Sequence, residues 1–187
     1  MLRKIKTKEQ TAKKKHRDQI FIGTMMIGLL IVSTLGYSLI SSAADKGGSK
    51  TSELGIEFIR ENNLWKTTLA GEDFAFQSLP SEISNVTMNG TFNLGEYSNK
   101  PLYIVSPNEG APEILSNIGR YVLRYQQACL NNETCTGDFP TKTCDSNLII
   151  FTPGNETMVY QNESCVYISG DAAMGADAFL YKVLGIN

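Results

Sequence analysis

"NLIIFTPGNETMVYQNESCVYISGDAAMGADAFLYKVLG", residues 147–185, carries most of the fold information in this chain of 187 residues. It opens with "NLIIFT" (147–152), an apolar run of strand length without alternation, the pattern of a strand buried on both faces. "TMVYQ" (157–161) and "CVYIS" (165–169) flank Asn162-Glu163-Ser164 and read as a hairpin. Asp171 then offers a helix cap. Ala172, Ala176, Phe179, Leu180 and Val183 form an apolar stripe at helical spacing, and Gly185 marks the stop. Met174 reads as filler for that stripe, not as a metal ligand.

Upstream, "KPLYIVSPNEG" (100–110) contains a strand at about residues 102–106, ended by Pro107. Pro112 suits the first turn of a helix. Ile114, Leu115, Ile118, Val122, Tyr125 and Cys129 recur at helical spacing, which predicts a helix continuing to Cys129. A strand, a helix and a buried strand in that order predict a right-handed βαβ crossover. Earlier still, "GIEFIREN", "LWKTTLAG" and "EDFAFQSL" alternate apolar and polar side chains, with Asn62-Asn63 and Gly71 between them. They read as an antiparallel meander of three short strands, with Trp65 as core or rim packing. The expected class is α/β or α+β: one exported domain over 54–187, with a mixed sheet, the meander and two main helices.

The charge is split. Residues 1–44 hold eight basic and two acidic side chains, a balance of +6, while the rest holds nine and seventeen, a balance of −8. After the basic tail of residues 1–19 comes "IFIGTMMIGLLIVSTLGYSLI" (20–40), uncharged and long enough to span a hydrocarbon core of roughly 30 Å as a helix. The expectation is a transmembrane helix over 20–40, with the lipid bilayer as partner and the C-terminal domain outside. Residues 41–53 read as a linker. A cleaved leader is the competing reading, since Ser42 and Ala44 suit a cut after Ala44, but leader cores run only about 7–15 apolar residues. A basic run alone can signal nucleic acid; followed by this apolar segment, it reads as a topology signal, and no nucleic-acid partner is expected.

Cys129, Cys135, Cys144 and Cys165 all follow the apolar segment, and none forms a CxxC pair. An even number of cysteines on the exported side reads as disulfides. Of the three pairings four cysteines allow, Cys129–Cys135 and Cys144–Cys165 are favoured. The first closes a short loop, and the second ties one strand segment to another. The acceptor pattern N-x-S/T occurs at Asn85, Asn89, Asn132, Asn155 and Asn162, all on the same side. Asn162 stands beside Cys165, and both features suit a location outside the cytoplasm.

Several chemistries are excluded. The sole histidine, His16, lies in the basic tail, so the exported part builds no Ser-His-Asp or Cys-His centre and no histidine-containing zinc site. Phosphate-cradling glycine motifs are absent, and no cofactor is expected. Carboxylate chemistry stays open: Glu72-Asp73 and the pair Asp171/Asp177 are the candidates, although they read first as a turn, a helix cap and a solvated face. Glu133, Asp138 and Asp145 are the weak calcium candidates.

"NLIIFTPGNETMVYQ", the cysteine before "VYISG" and the closing "ADAFLYKVLGI" together resemble the C-terminal part of small membrane-anchored surface proteins of archaea with no assigned function. The likeness covers roughly the last 80 residues of the chain. It implies an archaeal surface protein with an N-terminal apolar segment and a cysteine pair matching Cys144 and Cys165, and it supplies no catalytic residue. The function expected is a non-catalytic binding or envelope-interaction module, with envelope proteins or glycans as partners. A carboxylate-dependent hydrolase, or an accessory subunit of an envelope enzyme, is the alternative.

Overall fold

Period-two alternation governs most of what folds between Ser49 and Ile186. The structure is a computed structural model that describes residues 21–27, 29, 48–131, 135 and 137–186. Its contacts divide the chain into Met1–Gly48 and Ser49–Asn187.

The transmembrane helix expected over residues 20–40 does not stand. Among the described residues, no helix is long and apolar enough to cross a membrane. Of residues 20–40, only 21–27 and 29 fall among those described; they are helical and exposed. The rest of that segment, the basic tail and most of the expected linker lie outside the described residues.

The meander has four strands: β1 (Lys50–Glu53), β2 (Ile56–Glu61), β3 (Leu64–Leu69) and β4 (Glu72–Phe76), paired antiparallel in sequence order. Its first strand lies in the stretch read as linker. Each connection has two residues, and both have positive φ: Leu54 and Gly55, Asn62 and Asn63, Ala70 and Gly71. That is the type I′ geometry whose twist matches the strands. Phe58, Trp65, Thr67, Phe74 and Phe76 turn inward and are buried. Trp65 packs as expected, and the guanidinium of Arg60, its cross-strand partner, sits 5.0 Å from the ring centroid.

The larger sheet has six strands in the order β5 (Thr87–Asn89), β11 (Met158–Asn162), β12 (Cys165–Ser169), β10 (Leu148–Thr152), β6 (Pro101–Val105) and β7 (Arg124–Gln127). β12, β10, β6 and β7 run parallel, while β11 is antiparallel to β12 and parallel to β5. β10 sits inside the sheet, and Leu148, Ile149, Ile150 and Phe151 are all buried, as its unbroken apolar run requires. Side chains alternate between two cores. Leu102, Ile104, Ile149, Phe151, Val159, Val166 and Ile168 point to the larger one. Tyr103, Val105, Leu148, Ile150 and Cys165 point to the smaller.

Helices α1 (Gly110–Ile118) and α2 (Ala172–Val183) fill the larger core, packed on each other. α2 is buried almost all round, because it lies between the six-stranded sheet and the meander. Gly175 lets it approach β12: a Cβ there would stand 2.5 Å from Ile168 Cγ2. On the opposite side, Tyr181 stacks on Phe76 at 4.3 Å and meets Phe58 edge-on. Full burial of each such Leu, Ile or Phe contributes roughly 1.5–3 kcal/mol. Asp171 caps α2 by accepting the Met174 N–H at 2.9 Å, and Gly185 (φ +75°) turns the chain beyond it, both as expected.

The helix expected to reach Cys129 ends at Ile118. Gly119 closes the last turn, its N–H bonded to Leu115 O. Arg124–Gln127 then lies down as β7 beside β6. Val122, Tyr125 and Cys129 matched a helical period, but "YVLRYQQ" is rich in β-branched and aromatic side chains that suit a strand. Finally β8 (Cys129–Leu130) and β9 (Thr141–Lys142) pair in a small ribbon of their own, which covers the smaller core.

Candidate functional site

The nominated carboxylates separate. Glu72 pairs with Arg120 at 3.4 Å, which joins β4 to the segment after α1, and Asp73 accepts the hydroxyl of its cross-strand partner Thr68 at 2.7 Å beside the β3–β4 turn. Asp171 is the cap already described. Asp177 does not lie on a solvated face: it is fully buried, six residues into α2 and pointed toward the exit of β4. Asp138 and Asp145 are exposed, Asp145 accepts the Thr143 hydroxyl, and Glu133 lies outside the described residues. Among the described residues, no group of three acidic, histidine or cysteine side chains is arranged to hold a metal ion.

Asp177 instead meets Glu113 of α1, a residue that sequence reasoning passed over. Asp177 Oδ2 accepts the Ser78 N–H at 2.7 Å, and Glu113 Oε2 accepts Gln77 Nε2 at 3.0 Å. Asp177 Oδ1 is buried, and among the described residues no donor reaches it. Burial foremost, then the neighbouring Glu113 charge, pushes the Asp177 carboxyl up from the usual 3.8 to about 8. A proton on Oδ1 accounts for both facts, since the neutral carboxyl donates toward Glu113 and leaves no bare charge buried. The acids join a polar seam that ties β4 to the helices. Asn117 grips Ala75 through both its N–H (2.9 Å) and its C=O (2.7 Å), and the Tyr181 hydroxyl donates to Ser78 O at 2.7 Å. Asn117 thereby occupies the free edge of β4 like a further strand. With Asp177 fully buried, a substrate reaches the pair only if the helix–meander interface opens.

Both favoured disulfides are present, Cys129–Cys135 and Cys144–Cys165. Cys144–Cys165 ties the segment after β9 to β12 in the large sheet, and Cys129–Cys135 closes the loop after β8; both are the chemistry of an oxidising, extracellular environment. Beneath the ribbon, Arg124 Nη2 donates to the Tyr103 hydroxyl at 3.2 Å, and Lys142 Nζ lies 4.5 Å from the ring centroid. Arg124 first, then Lys142, holds the Tyr103 phenol below its usual value.

The sequon asparagines gather at one end of the large sheet. Asn85 precedes β5, Asn89 ends it, Asn155 precedes β11 and Asn162 ends that strand; all four are exposed. Asn132 lies outside the described residues.

The other end is bare. β7 is the edge strand, all four of its residues are exposed, and among the described residues no strand pairs with its outer side. Beside it, at the carboxyl ends of β6 and β7, opens a crevice of about 460 Å³. Ile104, Pro107, Ala111, Pro112, Leu115 and Tyr125 form apolar walls, and Asn108, Gln126 and Gln127 stand at the rim. In sheets with parallel strands, ligands favour this end. A roomier groove of about 610 Å³ crosses the meander, but its charges are committed, as in the 2.7 Å pair Lys66–Glu61. Tyr125 was expected on a helix, so the edge and its crevice were hidden. The available signal was the β-rich run after Gly119. No protein-family model matches the chain, and searches of curated proteins and of solved structures return no similar protein.

Proposed function

We propose that the exported domain is a binding module that takes an extended polypeptide along the outer edge of β7 and seats one of its apolar side chains in the adjoining crevice. One observation carries the reading: the outer edge of β7, unpaired among the described residues, runs directly beside an apolar cavity, with Tyr125 exposed at the border. Backbone groups of the edge supply hydrogen bonds to any extended chain, and the crevice supplies side-chain selectivity. The domain is read as an N-glycosylated surface protein, in keeping with the archaeal resemblance. Sugars near β5 shield that edge from strand addition and leave β7 open. Envelope polypeptides are the partner class, and the buried acids serve the joint between helices and meander.

Random peptides displayed on phage and selected on the folded chain provide the test. Enriched sequences should alternate apolar and polar residues, and their binding should fall at least tenfold in Leu115→Glu and stay unchanged in Glu72→Gln. Enrichment of sequences indifferent to Leu115→Glu defeats the proposal, as does turnover of a peptide or glycan that Asp177→Asn abolishes.

A further inference from the structure

We propose that Asn89 carries an N-linked sugar whose first ring stacks on the outward face of Tyr160, making the tyrosine a built-in platform for the glycan. This rests on the reading that the domain is N-glycosylated and goes beyond it by naming the site and its contact. Asn89, Tyr160 and Tyr167 form one cross-strand row: Asn89 is the register partner of Tyr160 on one side, and Tyr167 is its partner on the other. The two tyrosine rings are stacked, with centroids 4.7 Å apart and planes within 4° of parallel. Tyr167 therefore covers one face of the Tyr160 ring. The other face looks along the row toward β5, and Tyr160 remains 37% exposed.

The acceptor group is available. No hydrogen bond holds the Asn89 carboxamide among the described residues, and Asn89 and Thr91 of the sequon are both exposed. The chain leaves the strand at Gly90 (φ +153°), where a Cβ would stand 2.7 Å from Gln161 Cβ. Strands lie about 4.8 Å apart, so a pyranose on Asn89 Nδ2 stands at stacking distance from the ring. The electron-rich ring face attracts the C–H groups of the sugar. Asn162 lies on the same face of β11 but two residues along the strand, which sets its sugar toward the ring edge. In the modification, Nδ2 bonds to the anomeric carbon of a glycosyl phosphate donor from the cell. The phosphate departs with the C–O bonding pair, and one amide proton goes to solvent.

The full chain from an N-glycosylating host should show sugar on Asn89 by glycopeptide mapping. Protons of that first sugar should be shifted upfield by the ring current, and those on Asn162 should not. Blocking the Asn89 sugar alone with Thr91→Ala should lower Tm by about 2–4 °C relative to the glycosylated chain, and the loss should vanish in Tyr160→Leu. An unmodified Asn89 overturns the site and weighs against glycosylation of the domain. A modified Asn89 without upfield-shifted sugar protons overturns the stacking alone, a readout that holds even if Tyr160→Leu does not fold.

Discussion

On one face of the six-stranded sheet, Tyr103, Val105, Leu148, Ile150 and Cys165 meet a short ribbon held by two disulfides. On the other face, the helices and the meander bury a far larger set of aromatic and aliphatic side chains, tied across their joint by the seam of Asn117, Glu113, Asp177 and Tyr181. A cover with little apolar area cannot offset its own ordering entropy, so it needs crosslinks. A cover with a large core can hold polar groups, even two acids, provided each finds a partner or a proton. Four measurements bear on this division.

The largest effect should follow removal of Cys144–Cys165 by replacing both cysteines with alanine. The bridged residues are 21 apart, which corresponds to about 3 kcal/mol of unfolded-chain entropy. Losing Cys129–Cys135, with a separation of 6, should cost about 2 kcal/mol. Chemical denaturation of the two double variants checks the order. Equal or reversed losses mean that the small core, not the crosslink, holds the ribbon.

Next in size is the acid pair. The folded state holds the Asp177 proton up to about pH 8, while the unfolded chain releases it near 3.8. The folded state thus binds more protons between these values, and its stability falls as pH rises through that window. The contribution is whole below about pH 3.8 and gone above about pH 8. Asp177→Asn can still accept the Ser78 N–H and donate to Glu113. It should flatten the slope and leave the domain more stable than the unsubstituted chain at pH 8. Unfolding free energy against pH for both proteins decides it, and an unchanged slope assigns the proton elsewhere.

A third measurement breaks the seam without touching a charge. Asn117→Ala strips both backbone partners from Ala75 and should cost about 2 kcal/mol. Hydrogen exchange should speed up first in β4, with the ribbon side unaffected. Uniform acceleration across both faces means that the two covers do not unfold separately.

How much of this was legible follows the same division. Strands β10, β11 and β12 and helix α2 were readable because local pattern and burial agree there: Leu148–Phe151 of "NLIIFT" includes no polar residue to hide, and Asp171 and Gly185 punctuate the helix. β7 was not, because Val122, Tyr125 and Cys129 mimic a helical stripe, and only the pairing with β6 decides against it. The depth of Asp177 was half legible. An α-helix with Ala176, Ala178, Phe179 and Leu180 around one acid is apolar nearly all round, which marks a buried helix. Its neighbour Glu113 was not, since nothing local brings α1 to α2. The segment 20–40 has spanning composition, yet no described helix has the length.

The smallest effect compares tyrosines across the sheet. Tyr103, on the ribbon side, receives a hydrogen bond from Arg124 and lies under Lys142, so its phenol ionises below the usual 10.0. Tyr97 and Tyr181, on the helix side, are raised well above 10.0, chiefly by burial and then by Glu96 and Asp177 respectively. A charge on Tyr103 is stabilised by cations already in place, whereas one on Tyr181 would face the acid pair without water. Ultraviolet titration of the folded chain should therefore show an early phenolate step that disappears in Tyr103→Phe and moves up in Arg124→Gln. The steps of Tyr97 and Tyr181 should come only as the fold is lost. If Tyr103→Phe leaves the first step in place, Arg124 and Lys142 do not act on that phenol, and the ribbon face has no electrostatic character of its own beyond its crosslinks.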